Sequence, residues 1–190
     1  LFVPYLSFAE DGAFIAGANF STSVSGEAEV ELDTYYGDLD ISEDIDSNSF
    51  SVFAGYQTAR NNRFKLSYES RSFDFDKSNE TEDTTAFRFD WDFVYGEHQV
   101  HPFWSIGVGF YNLQDPIILD GSSLEGDDMD GVSFQMGAGA KVDLTEQLEL
   151  SIAFERQAIG WQEIKESSSG LTANMTYVHN SLAAGLLYRF

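Results

Sequence analysis

The 190-residue chain contains no cysteine, so disulfides and thiolate metal centres are excluded. Basic residues are scarce, with ten Lys and Arg against 32 Asp and Glu and a formal charge of -22. Nucleic-acid affinity rests on basic groups that displace phosphate counterions, so no nucleic-acid partner is expected. No apolar run approaches the ~18 residues a membrane-spanning helix needs, which excludes a helical membrane protein. Taken alone, the mean hydropathy of -0.24 would suggest a soluble chain. The sequence also shows no initiator methionine or signal-like segment, and the expectation is a processed mature chain. What is present rules out disorder: 43% hydrophobic and 15% aromatic residues can form a packed structure despite the charge.

Helical spacing of apolar residues appears nowhere over a useful length, whereas alternation with a period of two recurs in eight segments. The clearest is Phe87, Phe89, Trp91, Phe93 and Tyr95, whose partners Arg88, Asp90 and Asp92 must point to the opposite face. Equivalent apolar sets begin at Phe14, Phe50, Phe64, Trp104, Val132, Leu148 and Leu182, and none of their members is charged. The other face carries Lys65, Glu69, Arg71, Arg88, Asp90, Asp92, Lys141, Glu149, Glu155 and Arg189, with Gln57, Gln135, His179, serines and glycines. The fold class expected is all-β.

Alternation alone does not say which face is inside, because a soluble sandwich would bury the apolar one. Two features decide it. Rings gather near the strand ends, with Tyr56 and Phe64 flanking one short connection, Tyr95 and Trp104 another, and Tyr188 and Phe190 at the end. That is the pattern of an aromatic girdle. The charged face, with five acids and five bases, is neutral and rich in Gly and Ser, which suits a narrow interior. Connections also alternate in length: 58–62, 96–101 and 143–147 are short, while 25–48, 74–84, 112–130 and 158–170 are long. The long set holds 22 of the 32 acids against only Lys77 and Lys165, so the charge lies at one end. These features predict an eight-stranded antiparallel up-and-down transmembrane β-barrel over 12–190, with residues 1–11 as an N-terminal segment on the periplasmic side. Its four long loops would be extracellular and both termini periplasmic.

Eight strands enclose room for side chains only, so the ten interior charges should fill the lumen as ion pairs. Turn positions give a register to test: Arg71 opposite Arg88 and Glu69 opposite Asp90, with acid and base meeting on the diagonals. Across 143–147, Lys141 should face Glu149, and Val142 should face Leu148. The interior glycines would leave space for rings such as Phe53, Phe103 and Tyr111.

The C-terminal stretch Leu182-Ala-Ala-Gly-Leu-Leu-Tyr-Arg-Phe190 resembles the last strand of bacterial outer-membrane barrels, with Leu182, Ala184, Leu186, Tyr188 and Phe190 on one face. The passages 101–111 and 137–150 are similar to strands of the small OmpA/OmpX-type barrel family. The resemblance implies a bacterial outer-membrane location and recognition of the last strand by the barrel-assembly machinery. It transfers architecture better than activity.

Candidate chemistry is sparse. His179 and Ser181 share a face, and a His-x-Ser pair resembles that of the outer-membrane lipid A deacylases, but no acidic residue follows Ser181 to orient the histidine. His98 and His101 flank a short turn without a carboxylate pattern, and exposed turn histidines are expected there. Asp38, Asp40, Asp44 and Asp46, and separately Asp127, Asp128 and Asp130, present hard oxygen ligands at short spacing. A divalent cation could sit there, or cations could bridge these carboxylates to lipopolysaccharide phosphates. Otherwise no cofactor is expected. The function read from sequence is a monomeric outer-membrane barrel with a structural or surface-interaction role and no catalysis. Its partners would be lipid, lipopolysaccharide and an unidentified ligand of the loops. The alternatives are a lipid A-modifying enzyme, a small-solute channel or, less in keeping with an ionic interior, a soluble ligand carrier.

Overall fold

The computed structural model describes residues 12–34, 37–77, 80–96, 99–114, 116, 128–166 and 171–190. The described residues form nine strands in chain order: β1 (Ala13–Thr34), β2 (Gly37–Gln57), β3 (Arg63–Phe75), β4 (Thr81–Val94), β5 (Val100–Leu113), β6 (Met129–Asp143), β7 (Leu148–Trp161), β8 (Ile164–Glu166) and β9 (Leu171–Arg189). Each pairs antiparallel with its sequence neighbour from β1 to β7, β7 pairs with β9, and β9 pairs with β1. The ring therefore closes on eight strands, and β8 adds three residues to β9 near one end. Closure leaves no strand edge facing hydrocarbon, which is what allows a sheet to cross a membrane.

The barrel has two tiers of opposite sense. Toward the short turns the outward residues are apolar and exposed, among them Phe14, Phe50, Leu66, Phe89, Val108, Phe134, Ile152 and Leu186. The inward ones at that level include Ser51, Ser67, Asp90, Asp92, Ser105 and Lys141, all buried. Toward the long connections the inside is instead a hydrophobic core of Ala28, Ile45, Phe73, Ala86, Tyr111, Leu113, Met129, Ile159, Trp161, Met175 and Tyr177. There the outward positions carry Glu27, Glu29, Asp44, Asp46, Asp74, Asp83 and Asp130, all exposed. The first tier has the polarity of a membrane protein, and the second has that of a water-soluble barrel standing on top of it.

A bulge in β1 makes the two tiers compatible. Up to Ser23 the inward set is Ile15, Gly17, Asn19 and Ser21; after a register shift between Ser23 and Ser25 it becomes Gly26, Ala28 and Val30. The extra residue switches parity, as bulges do, so that Glu27 and Glu29 face water rather than the apolar core.

Several expectations need correction. The segment 25–48 is not a loop: β1 and β2 pair almost throughout it, to Thr34 opposite Gly37. Strands likewise intrude on 74–84, 112–130 and 158–170, because the upper core extends the sheet beyond the membrane belt. In the β3–β4 hairpin Glu69 faces Ala86 and Arg71 faces Thr84, not Asp90 and Arg88, since the chain already turns back between Phe75 and Glu80. Lys141 faces Ser151 and Val142 faces Leu150, two residues from expectation, because the turn is closed by the Leu144 N–H donating to the Leu148 carbonyl at 2.8 Å. Inward and outward parity holds in both hairpins. Residues 1–11 lie outside the described residues.

Candidate functional site

The lumen of the lower tier is a stack of charge layers. At the short-turn rim Arg63, opposite Asp92 on the neighbouring strand, reaches across the barrel to Glu149: Nη1 and Nη2 donate to Oε1 and Oε2 at 2.5 and 2.6 Å. Arg189 donates to the same Glu149 at 2.6 Å and to Asp143 Oδ1 at 2.8 Å, and His101 Nε2 lies 2.8 Å from Asp143 Oδ2. Burial works to raise the Asp143 carboxyl, but its hydrogen bonds with His101 and Arg189 outweigh it and hold the pKa below the ordinary value. Asp143 ends β6 at this rim, beside the exposed turn 144–147, outside the apolar belt.

One layer in, Asp92 is shared by Lys65 at 3.0 Å and Lys141 at 2.5 Å. Next comes Asp90, which accepts from Arg88 at 3.2 Å and also from Gln135. Above it Glu69 takes Arg88, Arg71 at 2.9 Å and the Tyr111 hydroxyl at 2.7 Å. Arg71 Nη1 then lies 2.8 Å from His179 Nε2, and the apolar core begins, Phe73 packing edge-on against the His179 ring. Lys65 meets Asp92 and Arg88 meets Glu69 on the diagonals, as expected, even though Lys65 and Arg63 stand directly opposite Asp90 and Asp92 in this register. Glycine makes room where rings or carboxylates press on the strand. A Cβ on Gly17 would stand 2.5 Å from Phe53 Cζ, and one on Gly107 would collide with Asp90 Oδ1.

Of the ten expected interior charges, Lys65, Glu69, Arg71, Arg88, Asp90, Asp92, Lys141, Glu149 and Arg189 join this network. Glu155, half-buried, has no ion pair among the described residues and lines a cavity of about 30 Å3 with Lys65 and Arg88. Sequence reading missed Arg63, Asp143 and Glu82, the last buried in the upper tier and accepting from Tyr177 Oη at 2.5 Å. Parity was the signal: Arg63 shares its face with Lys65, Glu82 with Arg88 and Asp143 with Lys141. His101 is buried and bonded at the rim rather than exposed, and His98 lies outside the described residues. His179 and Ser181 are both inward and buried.

The acidic clusters spread out. Asp40, Asp44 and Asp46 lie at even positions along β2, and β-strand rise alone sets Asp44 and Asp46 roughly 7 Å apart and Asp40 roughly 13 Å from Asp44. Asp46 accepts from Ser23 at 3.1 Å and Asp130 from Asn112 at 3.3 Å, while Asp128 is exposed. The side chain of Asp38 and all of Asp127 lie outside the described residues. Among the described residues no three acidic or histidine side chains converge to hold a metal ion.

Outside, the short-turn rim carries the aromatic band. Trp104 Nε1 donates to Tyr95 Oη at 2.8 Å, Trp104 stacks on Phe93 at 4.0 Å, and Tyr188 meets Phe190 edge-on at 5.1 Å. A closed eight-stranded ring with an uncharged aromatic-edged belt outside and ion pairs inside defines a transmembrane β-barrel. The family model described as outer membrane protein beta-barrel domain matches residues 5–190, and the chain belongs to that family, whose place is the outer membrane of Gram-negative bacteria. Among solved structures, OprG from Pseudomonas aeruginosa is 12% identical with a TM-score of 0.57, covering 95% of this chain and 97% of that one. Neisserial surface protein A is 14% identical with a TM-score of 0.50, covering 92% and 99%. At these identities the likeness shows the fold alone. No curated protein matches the sequence.

Proposed function

We propose that the protein is a closed outer-membrane barrel with a structural or surface-interaction role, presenting its acidic upper tier to the outside and performing no catalysis. The observation that carries this reading is the double filling of the lumen. Ion-paired layers from Glu149 to Arg71 occupy the lower tier, and a hydrophobic core occupies the upper. The interior cavity beside Glu155, about 30 Å3, has room for a few waters rather than a solute. His179 is 1% exposed and Ser181 2%, so neither offers a surface to a lipid substrate. The acidic end faces outward in this reading because long connections lie outside in barrels of this kind, both termini then being periplasmic. The C-terminal strand, with Leu182, Ala184, Leu186, Tyr188 and Phe190 on its lipid face, is what the assembly machinery would read, and the barrel acts as a monomer. Divalent cations would relieve the like charges that face each other at Glu31 and Asp40 and at Glu27 and Asp44, bridging them to lipopolysaccharide phosphates without a dedicated site.

Planar-bilayer recording tests the filled lumen: no stepwise conductance is expected, and a steady single-channel current would overturn the reading. Orientation is tested by a cysteine placed at exposed Asp44, which an impermeant maleimide should label on intact cells, whereas one at Glu146 should stay unlabelled. A calcium titration should leave the melting temperature in detergent unchanged and raise it in lipopolysaccharide-containing bilayers.

A further inference from the structure

One base outside the lumen stands apart. Arg156 lies on β7 two residues beyond Phe154, so it points outward, and it is exposed. In register its neighbours are Met136 on β6 and Asn180 on β9, and the next outward pair toward the short turns is Phe154 with Leu182. Met136, Phe154 and Leu182 are about half exposed and belong to the lipid-facing belt. Arg156 therefore marks the belt's upper edge on β7 and β9, where the outward residues beyond Phe154 and Leu182 are Arg156 and Asn180, while on β6 the apolar face runs on through Phe134 and Val132. A lipid-facing arginine is costly at mid-depth but nearly free at the interface, so this is a height at which the sequence tolerates one.

Its surroundings leave the charge unmet. Arg63, Lys65, Arg71, Arg88, Lys141 and Arg189 all have carboxylate partners. Arg156 has none within 4.0 Å among the described residues. Its Nη1 donates to Asn180 Oδ1 at 3.3 Å, and Asn180 Nδ2 donates on to Ser25 Oγ at 3.0 Å. Glu27, the nearest outward acid along the ladder, faces Val178, which faces Ala158, so it stands two strands away, roughly 10 Å. In a chain with 32 acids, this base at the membrane edge meets none of the described ones. One hydrogen bond leaves most of the guanidinium's five N–H donors free, in the forked geometry that matches phosphate. The strand beyond Arg156 is slim, with Ala158 and then Gly160, where a Cβ would meet nothing within 4 Å, so a bulky headgroup has room to settle.

The partner this position selects carries an anionic fork at headgroup height and an apolar body just below. We propose that Arg156, propped by Asn180 and Ser25, binds the phosphate of lipid A, whose acyl chains lie over Met136, Phe154 and Leu182. The choice of lipid A over an inner-leaflet phospholipid rests on the outward orientation of the acidic tier proposed above.

Native mass spectrometry of the refolded barrel in detergent micelles, titrated with diphosphoryl lipid A, tests this. The orientation is read separately by the labelling experiment, since a micelle exposes both rims. One lipid should bind, with R156Q weakening it about tenfold and R156K retaining most of the affinity. Dephosphorylated lipid A should bind no better to the wild type than to R156Q. Equal binding of lipid A by R156Q and wild type overturns the proposal, as does binding of the dephosphorylated lipid to the wild type as tightly as the diphosphoryl lipid. Displacement of the lipid by millimolar inorganic phosphate would reassign the position to a free anion and overturn it too. Should R156Q fail to fold, N180A removes only the prop and should weaken binding two- to tenfold; unchanged affinity there overturns the proposal.

Discussion

The bidentate contact between Arg63 and Glu149 is 1% exposed on both sides, so neither charge can turn to water when the other is lost. Removing one partner from such a pair typically costs about 3–5 kcal/mol, whereas replacing both with apolar groups of similar volume is often neutral. R63M should therefore destabilise the barrel by about that amount in urea titrations in micelles, with R63M/E149L recovering most of it. Arg189 would then lose Glu149 but keep Asp143, which limits the recovery. At that same rim Asp143 gives a pH dependence of definite sign. Its folded pKa lies below the ordinary value, so its stabilising effect is fully present above that value and is lost as pH falls through the folded one. The melting temperature of the wild type should drop on acidification below about pH 4, and D143N should flatten part of that limb. With 29% of its side chain exposed, Asp143 accounts for a fraction of the slope and not the whole. Residue roles were the part of the lumen that parity could read and distance could not. Alternation put Lys65, Asp90 and Lys141 inside, but that Lys141 stands opposite Ser151 rather than Glu149, and meets Asp92 instead, goes with a turn centred one residue later than assumed, which shifts the pairing by two.

At the scale of elements, the strands within the belt were legible because lipid allows no charge on one face. An arginine introduced there, as W91R or I106R, should block insertion, at a mid-depth cost of about 2–4 kcal/mol, while S67A on the inner face should insert normally. The shift in apparent mass between boiled and unboiled samples on gels reads the difference. The strands above the belt were not legible, for a physical reason. Beyond Phe20 the alternation continues as Ala28 and Val30 against Glu27, Glu29 and Glu31, but one residue out of phase, and a period-two reading breaks at the bulge. The high acid content then looked like a solvated loop rather than the outer face of a sheet. If the extra residue near Val24 sets the phase, deleting Val24 should turn Glu27 and Glu29 into the core around Ile45 and Phe73 and leave no compact barrel. A deletion variant that kept wild-type mobility and melting would show that the phase is set elsewhere.

For the whole molecule, the two tiers close the lumen by different physics: ion pairs where lipid surrounds the wall, apolar packing where water does. The upper core should behave like that of a soluble protein. Phe73 is completely buried between Tyr177 and His179, and F73A should cost about 3–5 kcal/mol although it lies beyond the membrane belt. The arrangement also makes the seal redundant. Truncating the lower stack, as in R88A/R71A, leaves Tyr111, Trp161 and Tyr177 packed edge to face inside the barrel above it. Such a variant should be destabilised yet still carry no current in planar bilayers. Emptying the upper core alone, as in W161A/Y177A, leaves the layers from Glu69 to Glu149 intact beneath and should be silent as well. Conductance is expected only when both sets of substitutions are combined in one barrel. Current through either partial variant would mean that a single tier holds the barrel shut, and the filled lumen would then be a gate rather than a double wall.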